Sequence, residues 1–212
     1  MLVGRFCLTK VKTIKEICTL FCSKENNTYL CSRKEILKAT TMEEKKQISQ
    51  DELYQFMLKH NLIITRLGEM VGLGIASMSA CFKHMLANGE PRWFTRQTVA
   101  KINQALPQIA YEIENKRLTF NAANNIGKQH RSMFDPGCVE QLKALSTHFK
   151  VDAMCQRVLG WGKVSSRKIL FAPSSSMYGH ITPANVNAIN EEIMFVSFWL
   201  QRHEVVANGE AR

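Results

Sequence analysis

Residues 65–86 read TRLGEMVGLGIASMSACFKHML, a stretch that predicts two short helices joined by a tight turn. The turn contains Gly72 and Gly74, and glycine is favoured there because it adopts a positive φ without steric cost. Met78 and Phe82 follow at a spacing that places both on one face of a helix. The stretch therefore predicts a helix-turn-helix arrangement, in which one face of the second helix is packed and the other is exposed.

A weaker copy of this pattern returns 88 residues later in the chain. Gly160 and Gly162 lie in its turn, and Ser166 stands in one of its core positions. Residues 95–103 (TRQTVAKIN) and 182–190 (TPANVNAIN) also resemble each other, at an offset of 87. Two matches in the same order predict an internal duplication.

The helix signals predict an all-α fold with two tandem helix-turn-helix domains of about four to five helices each. The first domain covers residues 49–118, a polar linker covers residues 119–134, and a second, degenerate domain covers residues 135–206. Ser49 begins a capping box at the first helix of the first domain. Pro107 predicts the start of a separate fifth helix in that domain.

The first 41 residues differ from the rest of the chain, with eight basic and three acidic residues. Two interpretations of this segment are open. It is a loosely attached basic arm that follows phosphates, or Met42 is the biological start and the segment upstream is a translated leader.

The charge of the chain is concentrated in its middle. The formal net charge is +10, and residues 116–168 carry ten basic and three acidic residues. A local positive field suits a polyanion, because each contact with a phosphate releases condensed counterions. The alternative is an ordinary solvated surface. Together with the two predicted helix pairs, the charge favours double-stranded DNA as the partner, and RNA is less favoured because the sequence shows no aromatic stacking platform.

The sequence disfavours several other classes of protein. The seven cysteines form no Cys-x-x-Cys pair and the six histidines are scattered, so we expect no metal site and no cofactor. Neither a phosphate-binding loop nor a nucleophile elbow occurs, so we expect no enzyme. No apolar run approaches the roughly 18 residues of a membrane span, and the cysteine pattern suits a reducing compartment. These features predict a cytoplasmic protein without membrane contact.

Residues 65–106 resemble the lambda-repressor-like (Cro-type) helix-turn-helix family. The resemblance is carried by apolar, small and polar positions of the first copy: Leu67, Gly68, Gly72, Leu73, Ser77, Met78, Ser79 and Phe82. Such a resemblance implies a domain of four or five helices whose third helix reads base edges, usually in a transcriptional repressor or activator.

The DNA-contacting residues that we expect form two sets. The set of the first copy is Arg66, Ser77, Ser79, Lys83, Arg92 and Arg96. The set of the second copy is Lys163, Ser165, Arg167 and Lys168. Arg167 is the candidate for guanine recognition, whereas the first copy offers few side chains for bidentate base contacts and is alternatively a packing scaffold. Arg92 either grips the DNA backbone or belongs to a loop anchored by a buried Trp93.

Residues 193–200 (IMFVSFWL) are apolar almost all round, so the last helix is part of the core or forms the interface of a homodimer. Together these expectations describe a sequence-specific DNA-binding transcriptional regulator, of repressor type, whose two recognition helices read adjacent half-sites. The alternative is a protein-interaction module, an adaptor or antitoxin-like partner, that uses the helical scaffold and the apolar C-terminal helix.

Overall fold

The computed structural model describes residues 45–85, 88–89, 92–124 and 134–207, and these residues are mostly helical. Their helices are α1 (Gln50–Lys59), α2 (Ile64–Val71), α3 (Ile75–Phe82), α4 (Arg96–Glu114), α5 (Cys138–Ala144), α6 (Val151–Leu159), α7 (Lys163–Phe171) and α8 (Pro183–Arg202). The described residues also form two strands and two 3-10 helices. The strands are β1 (Lys46–Ile48) and β2 (His203–Val205), and the 3-10 helices are Ala122–Asn124 and Leu145–Thr147. The predicted arm or leader, residues 1–41, lies outside the described residues.

The α-helices form two sets of four that repeat along the chain. α5 begins 88 residues after α1, α7 begins 88 residues after α3, and α8 begins 87 residues after α4. Gly72 and Gly160, which end α2 and α6, have φ values of 76° and 67°. The order, spacing and turn geometry of the helices therefore repeat along the described chain.

Side-chain caps fix the starts of three helices, one of them at the predicted Ser49. Ser49 and Glu52 form the capping box at α1, each side chain accepting a hydrogen bond from the main chain of the other. Thr95 caps α4 and Thr182 caps α8 by accepting from the main-chain N–H three residues on. These local signals define where the long helices begin.

α4 continues without interruption through Pro107, so the prediction of a separate helix starting there is wrong. Its buried side chains continue on both sides of the proline, from Ile102 to Ile113. Packing of this apolar face against the core outweighs the local cost of a proline, which removes one main-chain hydrogen bond.

The two strands pair in parallel, and Ile48 of β1 lies opposite Val205 of β2. Both of these side chains are buried. No sequence pattern predicts these strands, because three residues are too few to show an alternation of apolar and polar side chains. The small sheet joins the segment before α1 to the end of α8.

Both sets of helices contribute to one hydrophobic core. α4 packs against α8, and all eight described helices provide buried side chains to the cluster. Main-chain hydrogen bonds also join the sets: Ile63 N–H donates to the His148 oxygen and Lys150 N–H donates to the Asn61 oxygen, both at 2.8 Å. Residues Glu44–Arg212 form one compact unit. The segments predicted as two domains therefore pack as parts of the same unit.

The described start of the predicted linker, residues 119–124, is attached to the second set of helices. The Thr119 N–H donates to Gln141 Oε1 at 2.7 Å, and the Asn121 N–H donates to Asp135 Oδ2 at 2.9 Å. The chain is therefore held against the second set as soon as it leaves the first.

Candidate nucleic-acid interface

The first motif consists of α2, the turn at residues 72–74 and α3. Its helices approach each other closely at Gly68, where an added Cβ would lie 2.8 Å from the Leu73 carbonyl oxygen and 2.9 Å from Met78 Cγ. A larger residue at this position would require the main chain to move. Gly72 ends α2 in the left-handed region, and this conformation redirects the chain into α3.

The second motif consists of α6, the turn at residues 160–162 and α7. Its two helices meet at the equivalent positions, but the large and the small side chain are exchanged between the helices. Gln156 and Ser166 stand 88 residues after Gly68 and Met78. Gln156 Nε2 donates a hydrogen bond to Ser166 Oγ at 3.3 Å. A large residue on α6 and a small one on α7 thus replace a small one on α2 and a large one on α3. The two departures from the first copy compensate each other, and the helix pair keeps its shape.

α7 presents a basic surface to solvent. Lys163, Arg167 and Lys168 are exposed, and Ser165 is half-buried. Residues 160–171, the turn together with α7, contain no acidic residue. The three cations give this surface a positive charge, which favours contact with a polyanion, and Val164 and Phe171 are exposed beside them.

α3 presents a surface with much less charge. Ile75 and Ala76 are exposed, Ser77 and Ser79 are half-buried, and Lys83 is exposed at the end of the helix. Short hydroxyl and apolar groups thus occupy the helix that corresponds to basic α7. The two motifs have the same helix arrangement but expose different side chains to solvent.

Arg66, one of the predicted DNA contacts, is engaged by two carboxylates within the protein. Its Nη2 lies 2.9 Å from Glu112 Oε2, and its Nη1 lies 3.5 Å from Glu69 Oε2. The hydrogen bond with Glu112 raises the pKa of Arg66 and lowers the pKa of Glu112. A guanidinium held by two carboxylates offers a phosphate less charge than the exposed cations of α7.

The other two predicted arginines are Arg92, in the loop before α4, and Arg96, the first residue of α4. Arg92 and Arg96 are both exposed. Trp93 is 44% exposed and its ring centroid lies 3.9 Å from that of His84, so the alternative of a loop anchored by a buried Trp93 is wrong. Phe94, which is buried, anchors the loop instead. Sequence alone could not distinguish which of two adjacent aromatic residues points inward.

Two asparagines join the sets of helices by reciprocal hydrogen bonds. Asn103 Nδ2 donates to the Val205 carbonyl oxygen at 2.9 Å, and Asn103 Oδ1 accepts from the Val205 N–H at 2.7 Å. Asn190 makes the same two bonds with Leu118, at 2.9 Å and 2.8 Å. Each residue of the second pair lies 87 positions from its counterpart, with the roles of the two sets exchanged. An isologous two-fold interface between subunits has the same reciprocity.

A partly buried ion-pair network, in which Arg157 is exposed, links the sets at Glu192 of α8. Glu192 Oε1 lies 2.7 Å from His60 Nδ1 and 2.5 Å from Arg157 Nη2. Burial raises the pKa of Glu192, but the hydrogen bonds from His60 and Arg157 outweigh burial and hold this pKa below its usual value. The carboxylate is therefore ionised where the two sets of helices meet.

The corresponding network in the first set is completed by His148. Its Nε2 lies 3.3 Å from Glu112 Oε2, the carboxylate that also holds Arg66. Burial, reinforced by the charge of Lys116, lowers the pKa of His148 to about 4. In each network a glutamate of a long helix meets an arginine from its own set and a histidine from the other.

The last helix, α8, has a buried face and an apolar exposed face. The side chains of Ile193, Val196 and Leu200 are buried. The large apolar side chains that α8 exposes are Met194, Phe195 and Phe198. Trp199 lies between the two faces, half-buried and stacked on Phe56 with ring centroids 3.6 Å apart. The helix is thus part of the core and also leaves an aromatic surface uncovered within the described chain.

The sequence patterns predict neither the reciprocal asparagines nor the two ion-pair networks. A signal for the asparagines does exist, because the matching segments 95–103 and 182–190 both end in asparagine. The networks carry no such signal, since their members lie far apart in the chain and share no local motif.

The chain matches no family model, and comparisons with curated proteins and with solved structures give no match. Among the residues that the structure describes, no group of three His, Cys, Asp or Glu side chains is placed to hold a metal ion. Within the same residues, no helix is long and apolar enough to cross a membrane.

Proposed function

We propose that this chain is a sequence-specific DNA-binding regulator of the lambda-repressor-like type, acting in the cytoplasm as a repressor that occupies an operator in double-stranded DNA. The observation that carries the proposal is the surface of α7. Lys163, Arg167 and Lys168 are exposed on the second helix of a glycine-turned pair, the helix that enters the major groove in helix-turn-helix proteins.

The residues of the second motif take different roles in this proposal. Arg167 reads guanine, because a guanidinium can donate two hydrogen bonds to the guanine edge in the major groove. Lys163 and Lys168 contact phosphates and supply affinity that does not depend on sequence. Ser165 donates a hydrogen bond from its half-buried position.

The first motif binds more weakly and positions the protein. Ser77, Ser79 and Lys83 contact the backbone or a base edge, and Arg92 and Arg96 contact phosphates from the loop before α4 and from its first turn. Arg66 contributes least, because its charge is already paired with carboxylates. Two unlike motifs then predict an asymmetric operator, in which the half-site of α7 supplies most of the binding energy.

The direct test is the binding of the full chain to a labelled pool of random-sequence duplexes, followed by fluorescence anisotropy at two salt concentrations. We expect binding that weakens steeply between about 50 mM and 200 mM salt, as counterion release requires. Repeated selection from the pool should then enrich one sequence. No binding at the lower salt concentration would contradict the proposal.

A matched pair of variants distinguishes binding through the surface of α7 from binding that depends only on net charge. Replacement of Arg167 and Lys168 by alanine removes two charges from α7, and replacement of Lys59 and Lys101, which are exposed elsewhere, removes the same number. The α7 variant should lose most of its binding, whereas the control should lose little. Equal losses would show that only the overall charge matters.

A second candidate function is a protein-interaction module, and the exposed apolar side chains of α8 favour it. Phe195 and Phe198 are exposed on α8, the helix whose apolar sequence predicts either core or a homodimer interface. Surfaces of this kind commonly mark contacts between proteins. Sedimentation of the chain and of a Phe195→Ser/Phe198→Ser variant tests this candidate: self-association that the substitutions abolish would support a dimer through α8.

A further inference from the structure

The two most exposed large aliphatic side chains of the described residues occupy neighbouring positions in the two motifs. Ile75, the first residue of α3, is 62% exposed, and Val164, the second residue of α7, is 65% exposed. Neither belongs to the hydrophobic core, which α3 and α7 reach through other side chains such as Met78 and Leu170. An exposed aliphatic group therefore lies near the start of the second helix in both motifs, where it is accessible to an apolar partner.

The surroundings of these side chains narrow the kind of partner. Val164 lies beside Arg167 and Lys168 on the same exposed side of α7, so its partner must accept positive charge close by. Duplex DNA meets both requirements, because phosphates flank the major groove and the methyl group of thymine is the apolar group that base edges present in it.

We infer that Ile75 and Val164 read the C5-methyl groups of thymine, so that each half-site contains a thymine opposite the start of α3 or α7. This inference rests on the proposed DNA-binding function and names the bases that the two motifs select. It also explains how α3 can discriminate sequences although Ser77 and Ser79 offer only short hydroxyls. The first half-site is then selected by methyl contact, and the second by methyl contact together with Arg167.

The test replaces thymidine by deoxyuridine, which keeps base pairing and removes only the methyl group. Duplexes are first selected from a random pool with the full wild-type chain, and the enriched duplex is then synthesised with deoxyuridine in one half at a time. Loss of one buried methyl contact should weaken binding about four-fold in each half. The readout is the ratio of the two dissociation constants, for deoxyuridine and for thymidine.

Single substitutions assign each half of the duplex to one motif. Ile75→Ser should abolish the sensitivity to deoxyuridine in one half only, and Val164→Ser should abolish it in the other, because serine carries no methyl group. Leu58→Ser is the matched control, because Leu58 is an exposed aliphatic residue on α1. It should leave both ratios unchanged.

The outcomes separate this inference from the function on which it rests. If no duplex is enriched even at low salt, the proposed function fails and the inference fails with it. If a duplex is enriched and binds equally well with deoxyuridine in either half, DNA binding stands and the methyl readout is overturned. If deoxyuridine weakens binding but Ile75→Ser and Val164→Ser retain the full sensitivity, other residues read the methyl groups and the assignment is wrong.

Discussion

Replacement of Asn190 by alanine tests whether the reciprocal asparagines hold the two sets of helices together. The side chain satisfies both main-chain groups of Leu118, at 2.8 Å and 2.9 Å, and Leu118 is only 4% exposed. Leaving one buried donor or acceptor unpaired costs about 1–3 kcal/mol. Asn190 is itself half-buried, so water can reach part of the site. For the N–H and the carbonyl of Leu118 together, we therefore expect the free energy of unfolding to fall by about 2–4 kcal/mol.

The measurement is the free energy of unfolding in urea, from the midpoint and slope of the transition. Asn103→Ala should give a similar loss, because Asn103 holds Val205 by the same two bonds. Glu191→Ala is the control, since Glu191 is the exposed neighbour of Asn190 on α8 and should change stability by less than about 0.5 kcal/mol. A loss for Asn190→Ala no larger than that of the control would refute the structural role of these bonds.

Three further predictions concern the interface, the turn and one titrating group. Arg167→Ala should cost about 1–3 kcal/mol of binding to the selected duplex and relax the preference at one base pair, whereas Lys163→Ala should weaken binding to all sequences and flatten the salt dependence by about one unit of slope; a uniform loss for Arg167→Ala would exclude base reading. Gly68→Ala should destabilise the chain by about 1–3 kcal/mol in urea because its Cβ meets the main chain and a buried methionine, while Gly74→Ala, where nothing lies within 4 Å, should cost less than about 1 kcal/mol. The pKa of His148 is about 4 in the folded chain and its usual value is 6.5, so the unfolded chain binds the proton first as the pH falls. The free energy of unfolding should therefore decrease as the pH falls between those two values. His148→Asn should lose less stability than the wild-type chain between pH 7 and pH 5, and identical losses would contradict this.

The parts of the fold that sequence predicts are those fixed by local chemistry. The left-handed Gly72 and Gly160 and the capping threonines of α4 and α8 act over three or four residues, so a short stretch of sequence contains all that determines them. Pro107 shows the limit of such reasoning, because the buried face of α4 lies against helices from both sets and only that packing keeps the helix continuous.

The candidate site shows the same division between local and distant causes. The exposure of Lys163 and Arg167 follows from helical spacing, and the structure places both on the solvent side of α7. Arg66 has an equally suitable position in the sequence, yet Glu112, 46 residues away, takes up its charge. No periodicity relates these two residues, so the sequence could not predict that Arg66 is engaged inside the protein.

The way in which the two motifs are joined has consequences for any ligand that contacts both. If a flexible linker joined two independent domains, the spacing of the motifs would be free and binding of the second would carry an entropic cost that depends on linker length. In this chain the asparagine bonds, the two ion-pair networks and one shared core connect the sets within a single compact unit. The core therefore sets the spacing between α3 and α7, and the ordering cost is met during folding. Divergence of the exposed residues on α3 and α7 could then alter recognition without disturbing this spacing, because the compensating pairs Gly68–Met78 and Gln156–Ser166 preserve the shape of each motif.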